Sequence, residues 1–219
     1  RIQRTARALG YRTVALFSDA DADAELFAAA ARDSLMLADV SMGERFARAA
    51  VDEGAGVIAA SLLARALMWK GRNTESDAVL AGYDPAALDD GELLVWGLQR
   101  IGNLFWGQGD VSAADDVLAL VRERITDPVL SQIVDGIASA CALFTGDIAG
   151  AIELSDKVLD ASAPLPWATE WAVFGGGLAR ALAGRGAEVA AIARRGHSAE
   201  TSTDGVLRFP AGFGEILAL

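Results

Sequence analysis

Apolar residues recur at steps of three and four along most of this chain, and short polar turns interrupt them at regular intervals. Each segment between two turns has one apolar face, which is the pattern of an amphipathic helix. The pattern predicts two kinds of helix that alternate as pairs. The first helices are expected at residues 26–37, 57–70, 91–107, 129–145 and 167–183, and the second helices at 41–53, 74–82, 111–125, 148–160 and 187–198.

A glycine ends the first helix of four pairs, at nearly even spacing. Gly71, Gly109, Gly146 and Gly184 are separated by 38, 37 and 38 residues. A glycine just past a helix end takes a left-handed backbone at little steric cost, so the chain can reverse there. Small residues in the second helices are expected to let the paired helices approach: Ala78, Ala114, Ala151 and Ala187 or Ala190.

This register predicts stacked antiparallel pairs that bury a continuous core only against their neighbours. About five pairs are expected in residues 25–219, followed by a sixth first helix that begins near Phe209 and is cut at Leu219. The cut helix would present an apolar edge suited to homodimer formation. That edge consists of Phe209, Phe213, Ile216 and Leu217.

Composition and charge narrow the classes of function. The chain is 53% apolar with only 5 prolines, which favours helix. A net charge of −11 disfavours nucleic-acid binding, because such a surface repels phosphate backbones. The single cysteine, Cys141, rules out a disulfide framework, makes a cytoplasmic location the default and is expected to be buried. No apolar run is expected to cross a membrane.

The repeated turn, an apolar helix end followed by glycine, Asp or Arg and then a small residue, resembles tetratricopeptide-type repeats. The longer period and the alanine-rich composition resemble those of the helical-repeat region of large LuxR-type, MalT-like regulators. The resemblance implies a tetratricopeptide-like α-solenoid whose concave groove holds a protein or peptide partner or a small effector. No G-x-x-x-x-G-K-[ST] loop and no basic recognition helix is present, so no nucleotide site, DNA site or cofactor is carried over.

Residues 1–24 carry a different resemblance. The run Arg12-Thr13-Val14-Ala15-Leu16-Phe17-Ser18-Asp19-Ala20-Asp21, after a helix pattern ending in Leu9-Gly10, is similar to a short piece of the biotin carboxylase N-terminal domain. The residues themselves agree in part, because residues 13–17 form a β-prone run that predicts a strand. Asp19, Asp21 and Asp23 after it are expected to form an acidic loop, which is interpreted as a solvated turn and not a metal site. The rest of the ATP-grasp machinery is absent. A fusion or misassembled reading frame, a chimera and coincidence are the three explanations.

The best candidate site is a polar and aromatic stripe on the first helices. Trp96, Gln99, Asn103 and Trp106 are spaced by 3, 4 and 3 residues and therefore share one helical face. The neighbouring first helices are expected to add Gln132, Asp135, Ser139, Glu170, Trp171, Phe174 and Arg180. Aromatic rings beside amides and carboxylates suit a peptide, a sugar or a small effector. The alternative is that the tryptophans only pack between helices.

No catalytic group is predicted. His197 is the only histidine and is interpreted as an exposed loop residue, because one histidine cannot complete a metal site or a catalytic triad alone. The run Gly175-Gly176-Gly177 is interpreted as a close helix contact. The leading hypothesis is a non-catalytic interaction or effector-sensing module of a LuxR-type regulator. The alternative is a fragment or fusion related to ATP-dependent biotin carboxylase, inactive in this chain alone.

Overall fold

The structure is a computed structural model that describes residues 20–198 and 208–218. Within these ranges the regular structure is helical and contains no strand, which confirms the all-α prediction. The predicted strand at residues 13–17 lies outside the described residues. The α-helices are α1 (Ala20–Met36), α2 (Val40–Asp52), α3 (Gly56–Trp69), α4 (Asn73–Ala81), α5 (Asp90–Gly102), α6 (Val111–Arg124), α7 (Pro128–Thr145), α8 (Ile148–Leu159), α9 (Pro166–Leu182), α10 (Gly186–Ser198) and α11 (Arg208–Leu217).

Two local predictions need correction. Helix α1 begins at Ala20, so Asp21 and Asp23 are helical and not part of an acidic loop. A helix can start this early because Ala20 to Ala24 alternates alanine with aspartate, and acidic residues are favourable in a first turn. His197 lies within α10, and is therefore not a loop residue.

The turns between paired helices follow the predicted glycine register. Gly71, Gly109, Gly146 and Gly184 all have positive φ, between 72° and 89°. The Gly71 N–H donates to the Met68 carbonyl and the Arg72 N–H to the Leu67 carbonyl, each at 2.9 Å. These two bonds form a Schellman motif, which satisfies carbonyls that the helix end would otherwise leave unpaired. The turns at Gly146 and Gly184 repeat the same pair of bonds.

The first turn uses the same geometry without a glycine. Ala38 has a φ of 59°, and it is the one positive-φ residue other than glycine in the described ranges. The Ala38 N–H donates to the Leu35 carbonyl at 3.0 Å and the Asp39 N–H to the Ser34 carbonyl at 2.9 Å. The pair α1–α2 is therefore closed by the same motif as the later pairs, with a less suitable residue at its turn.

The third pair departs from the predicted continuous helix. Helix α5 ends at Gly102, and the segment Asn103–Gln108 forms a π-helical turn. The Asp110 N–H consequently reaches back six residues to the Leu104 carbonyl, at 2.9 Å, instead of five. The extra residue widens the helix next to α4.

The chain divides into two compact units, which are here called the N-terminal unit (Arg1–Val117) and the C-terminal unit (Leu118–Leu219). In the N-terminal unit α1 packs on α2 and α3, and α3 packs on α2, α4 and α5. Its core includes Ala31, Leu35, Leu63 and Leu67. In the C-terminal unit α9 packs on α7, α8, α10 and α11. Within their units α1, α3, α7 and α9 each contact their own partner helix and also the next first helix.

Small residues mark the crossing of paired helices. In three pairs the close residues lie seven positions before the turn residue and five after it: Ala31 with Gly43, Ala64 with Ser76, and Ser139 with Ala151. The predicted small residues Ala114 and Ala151 are buried at this position. Ala78, Ala187 and Ala190 are exposed, and Ser76 and Val189 take the buried positions in their place.

Glycines also allow close contacts between consecutive first helices. A Cβ on Gly175 would lie 2.7 Å from the backbone nitrogen of Ala140, and one on Gly136 would lie 2.9 Å from the Ala168 carbonyl oxygen. Helices α7 and α9 can approach this closely only because these positions lack a side chain. The interpretation of Gly175-Gly176-Gly177 as a packing element is confirmed for Gly175 and Gly176; at Gly177 an added Cβ would contact nothing within 4 Å.

One helix in the described ranges passes a test of length and composition for a membrane span, in contrast to the sequence-based expectation. This helix is Pro128–Thr145; its mean hydropathy is 1.4, and 56% of it is buried inside the fold. A buried core helix passes the same test, so this is weak evidence for a membrane segment.

Candidate functional site

Trp96 and Trp106, the predicted aromatic residues of the third pair, have different environments. Trp96 is buried, and its Nε1 donates to the Leu80 carbonyl at 3.0 Å. Arg100 lies over its ring at 5.1 Å and pairs with Asp77 of α4. Trp106 lies in the π-helical turn and is 40% exposed. Trp96 therefore anchors α5 against α4, whereas Trp106 is accessible.

The two predicted amides of this helix face its neighbours. Asn103 is fully buried, and its Nδ2 donates to the Asn73 carbonyl at 2.9 Å. The Asn73 side chain donates in turn to the carbonyl of Gly107 within the π-helical turn. Gln99 is also buried, with its Nε2 3.8 Å from the Met68 sulfur. The amides thus join α3, α4 and the π-helical turn, which is a packing role.

The predicted residues of α7 point to different places. Ser139 is buried and donates to the Ala151 carbonyl of α8 at 2.7 Å. Gln132 is partly buried and accepts from the Leu165 N–H at 3.2 Å. Asp135 is buried, and it contacts charged side chains of two other helices. Asp135 also borders a cavity.

The predicted residues of α9 are mostly interior. Glu170 and Arg180 are buried, and Arg180 pairs with Asp156 and Glu188. Phe174 is buried between two aromatic rings, with centroid distances of 6.2 Å to Trp171 and 5.9 Å to Phe144. Trp171 keeps partial exposure.

Burial decides how far these residues can serve a ligand. Eight of the eleven predicted residues are buried, namely Trp96, Gln99, Asn103, Asp135, Ser139, Glu170, Phe174 and Arg180. Most of the polar groups among them hold neighbouring helices together. The sequence pattern correctly places the residues on helices, but most of them contribute to packing within a unit.

The cavity at Asp135, here called the Asp135 pocket, has a volume of about 240 Å³. It lies within the C-terminal unit, where α6, α7 and α8 meet. Its lining is Arg122, Ile125, Ser131, Val134, Asp135 and Lys157. Asp135 is 5% exposed and sits in the middle of α7. Its Oδ1 lies 3.2 Å from Arg122 Nη2 and its Oδ2 lies 2.6 Å from Lys157 Nζ.

The pocket has a local excess of positive charge. Two cations face one carboxylate, and each carboxylate oxygen contacts one of them. The side chains of Arg122 and Lys157 are 46% and 66% exposed, so solvent and solutes reach them. A buried carboxylate requires such compensation, because burying an isolated charge is very unfavourable.

The pocket has the chemistry of a binding site. Both oxygens of Asp135 contact a cation, so this carboxylate is not placed as a free general base. The Ser131 hydroxyl donates to the Asp127 carbonyl at 2.8 Å and is not directed at a base. Within the described residues no group of three or more His, Cys, Asp or Glu side chains could hold a metal ion. Cys141 is buried, as expected.

The sequence pattern includes Asp135 in the candidate site but not Arg122, Lys157 or Ser131. The available signal was a single aspartate within the apolar run Ile133 to Ile137, which implies a cationic partner on another helix. It did not indicate which cation would supply the partner, since the candidates lie 13 and 22 residues away.

A second cavity, of about 550 Å³, lies in the N-terminal unit between α1 and the start of α3. Small side chains dominate its lining, including Ala24, Ala28, Ala29 and Ala55. Charged groups lie beside it at Glu25, Arg32 and Glu53 without the convergence seen at Asp135.

Comparison of the chain with protein families, with curated proteins and with solved structures finds no match in any of the three. The function is therefore argued from the geometry of this chain.

Proposed function

We propose that residues 25–219 form a tetratricopeptide-like α-solenoid that acts as a non-catalytic binding module for a partner or a small effector. The observation that carries the proposal is the repeated turn. Four glycines at spacings of 37 or 38 residues share a left-handed conformation, and three helix pairs cross through small residues at equivalent positions. Helix pairs that repeat in this way are typical of scaffolds that present a binding surface.

The role of effector sensor in a cytoplasmic LuxR-type regulator is the biological setting that we propose for this module. It is supported by the resemblance of the repeated turn and by the accessible, charged Asp135 pocket. The carboxylase alternative depends on residues 1–24, most of which lie outside the described residues, and it stays a prediction.

A whole-repeat deletion tests the architecture on which the proposal depends. Removing residues 72–109 joins Gly71 to Asp110, so that the first helix of one pair meets the second helix of the next. If the pairs are equivalent repeats, the shortened chain should keep its helical circular dichroism and unfold cooperatively. Removing residues 72–90 instead deletes α4 and leaves a first helix without its partner, and this control should lose cooperative unfolding. Equal loss of structure in both variants would contradict the proposal.

A second copy of this chain is one partner that the module could bind. Phe213, Ile216 and Leu217 of α11 are exposed, as the predicted dimer edge requires. The fourth residue of that edge, Phe209, has a side chain outside those described. We expect light scattering to show a concentration-dependent dimer that the Ile216→Glu variant abolishes. A monomer at every concentration would exclude this partner and leave the effector role in place.

A further inference from the structure

We propose that the Asp135 pocket binds a small molecule through an oxyanion, a carboxylate or a phosphate, held between Arg122 and Lys157. This inference rests on the proposed role of the module as an effector sensor and names the class of effector. It starts from the position of Asp135, whose buried carboxylate holds the two cations from α6 and α8 at the same cavity.

The first argument concerns hydrogen-bond donors. A guanidinium has five N–H donors and an ammonium has three. Arg122 directs Nη2 at Asp135, and Lys157 contacts it through Nζ. Both side chains line the cavity and are largely exposed, so their further donors are available to a solute. Hydrogen bonds from two cations to one oxyanion are among the stronger polar contacts in proteins.

The second argument concerns charge. The carboxylate of Asp135 is compensated by one of the two cations, which leaves one net positive charge at the cavity. An amine would meet a carboxylate whose oxygens are already occupied, and it would be repelled by both cations. The chain as a whole carries a charge of −11, which repels anions at long range. At physiological ionic strength this repulsion between the chain and an anion is screened beyond about 8 Å, so contacts inside the pocket determine which ions bind.

The third argument concerns size. A volume of about 240 Å³ is below the range of roughly 300–1,000 Å³ that is usual for sites of drug-sized ligands. The apolar part of the lining, Ile125 and Val134, is buried and offers a limited hydrophobic surface. A small organic acid or a phosphate-bearing fragment fits this space, with its charged end at the cations.

The test is calorimetric titration of the full chain with inorganic phosphate and, in a separate arm, with succinate, at constant ionic strength. We expect saturable binding in the millimolar range in at least one arm, and the stronger arm identifies the oxyanion. The double variant Arg122→Gln/Lys157→Gln should weaken binding by about tenfold or more, since it removes both charge-assisted donors.

A charge-matched control removes two exposed cations that do not line the pocket. Arg45→Gln/Arg194→Gln changes the net charge by the same amount and should leave the affinity within about twofold of the original. If the double pocket variant fails to fold, the single variant Lys157→Gln carries the test, because this side chain is 66% exposed. Equal weakening in the pocket and control variants would show non-specific attraction and would overturn the proposal.

Absence of saturable binding in both arms would also overturn it. This outcome is distinct from failure of the proposed function, which the whole-repeat deletion reports through folding and not through ligand affinity. A chain that tolerates the deletion of residues 72–109 but binds neither anion would remain a helical-repeat module with a different ligand.

Discussion

A buried carboxylate organises charged side chains in each unit of the molecule, but the two arrangements differ in what they leave free. In the N-terminal unit Glu44 of α2, 8% exposed, accepts from Lys70 at 2.7 Å, from Arg72 at 2.8 Å and from Arg48 at 2.9 Å. In the C-terminal unit Asp135 of α7 contacts Arg122 and Lys157. Cations from other elements compensate both carboxylates, and Arg48 of α2 itself adds a third cation at Glu44.

The difference lies in a second carboxylate. Glu75 of α4 accepts hydrogen bonds from both Arg48 and Arg72, so it uses donors that Glu44 leaves available. The Glu44 cluster, which consists of Glu44, Arg48, Lys70, Arg72 and Glu75, is therefore a network that joins α2, α3 and α4. The Asp135 pocket, in contrast, is a cavity lined by two cations and only one carboxylate. The cations at Asp135 therefore keep donors for a solute, whereas Arg48 and Arg72 each meet two carboxylates.

The largest expected difference between the two arrangements is in stability. Glu44→Gln takes the carboxylate from Lys70, which is 31% exposed, and leaves Arg48 and Arg72 paired with Glu75 alone, so we expect it to lower the free energy of unfolding by about 2 kcal/mol. Asp135→Asn leaves two well-exposed cations that water can solvate, so its cost should be nearer about 1 kcal/mol. Urea denaturation of both variants measures the two values. Equal costs would show that the networks are energetically alike.

Acid should remove the contribution of Glu44 to stability. The hydrogen bond from Lys70 lowers the pKa of Glu44 to about 2, with Arg48 and Arg72 acting in the same direction and burial opposing them. A folded-state pKa below the unfolded value means that this contribution is complete above about pH 4.5 and is lost as the pH falls towards 2. The original chain should therefore lose about 2 kcal/mol more than Glu44→Gln over this window. Denaturation at several pH values measures the difference, and parallel profiles would contradict it.

The helix crossings of the two units offer a smaller effect. Ser76 of α4 donates to the Ala64 carbonyl of α3, whereas Ser139 of α7 donates to the Ala151 carbonyl of α8. The hydroxyl lies on the second helix in one pair and on the first helix in the other. Ser76→Ala should cost about 1 kcal/mol, since it removes one buried hydrogen bond.

Moving this hydroxyl tests whether the two crossings are equivalent. The double variant Ala64→Ser/Ser76→Ala copies the arrangement of Ser139 and Ala151, and thermal denaturation should place it within about 0.5 kcal/mol of the original chain. A double variant less stable than Ser76→Ala alone would show that the crossings have different geometry.

The turns give the smallest expected change. Ala38 takes a left-handed conformation that is unfavourable for a residue with a Cβ. Ala38→Gly should therefore stabilise the chain by about 0.5 kcal/mol, after allowance for the greater entropy of glycine in the unfolded state. Gly146→Ala, at the equivalent turn of the C-terminal unit, should destabilise it by about 1 kcal/mol. Opposite shifts of the thermal midpoint would support the shared geometry, and shifts of the same sign would refute it.

The helices and turns were predictable because their signals are local. Gly71, Gly109, Gly146 and Gly184 predicted the reversals because a left-handed helix end strongly prefers a glycine, and all four have positive φ. Most observed helix ends lie within two residues of the predicted ones. The break between residues 37 and 41 was also predicted, but its left-handed geometry was not, because Ala38 is not the residue type that signals it. The π-helical turn at Asn103–Gln108 has no comparable signal in the sequence.

The candidate site was less predictable because burial depends on neighbours. Periodicity correctly places Gln99 and Asn103 on one face of a helix, but it cannot show that α3 and α4 cover that face. Periodicity within α7 likewise cannot show which side chains pair with Asp135, because Arg122 and Lys157 belong to α6 and α8, the helices before and after it in the sequence. The sequence pattern placed Asp135 in a groove, and only the packing showed that it is buried and which cations pair with it.

The equivalent crossings in several pairs have a consequence for how such a gene changes length. Recombination between the coding sequences of two pairs, when it joins matching codons, would insert or remove a complete pair whose contacts resemble those already present. Because Ala31 with Gly43, Ala64 with Ser76 and Ser139 with Ala151 are all separated by 12 residues, a join within one such interval preserves the crossing. Lineages could thus vary the number of pairs without evolving a new interface at each step.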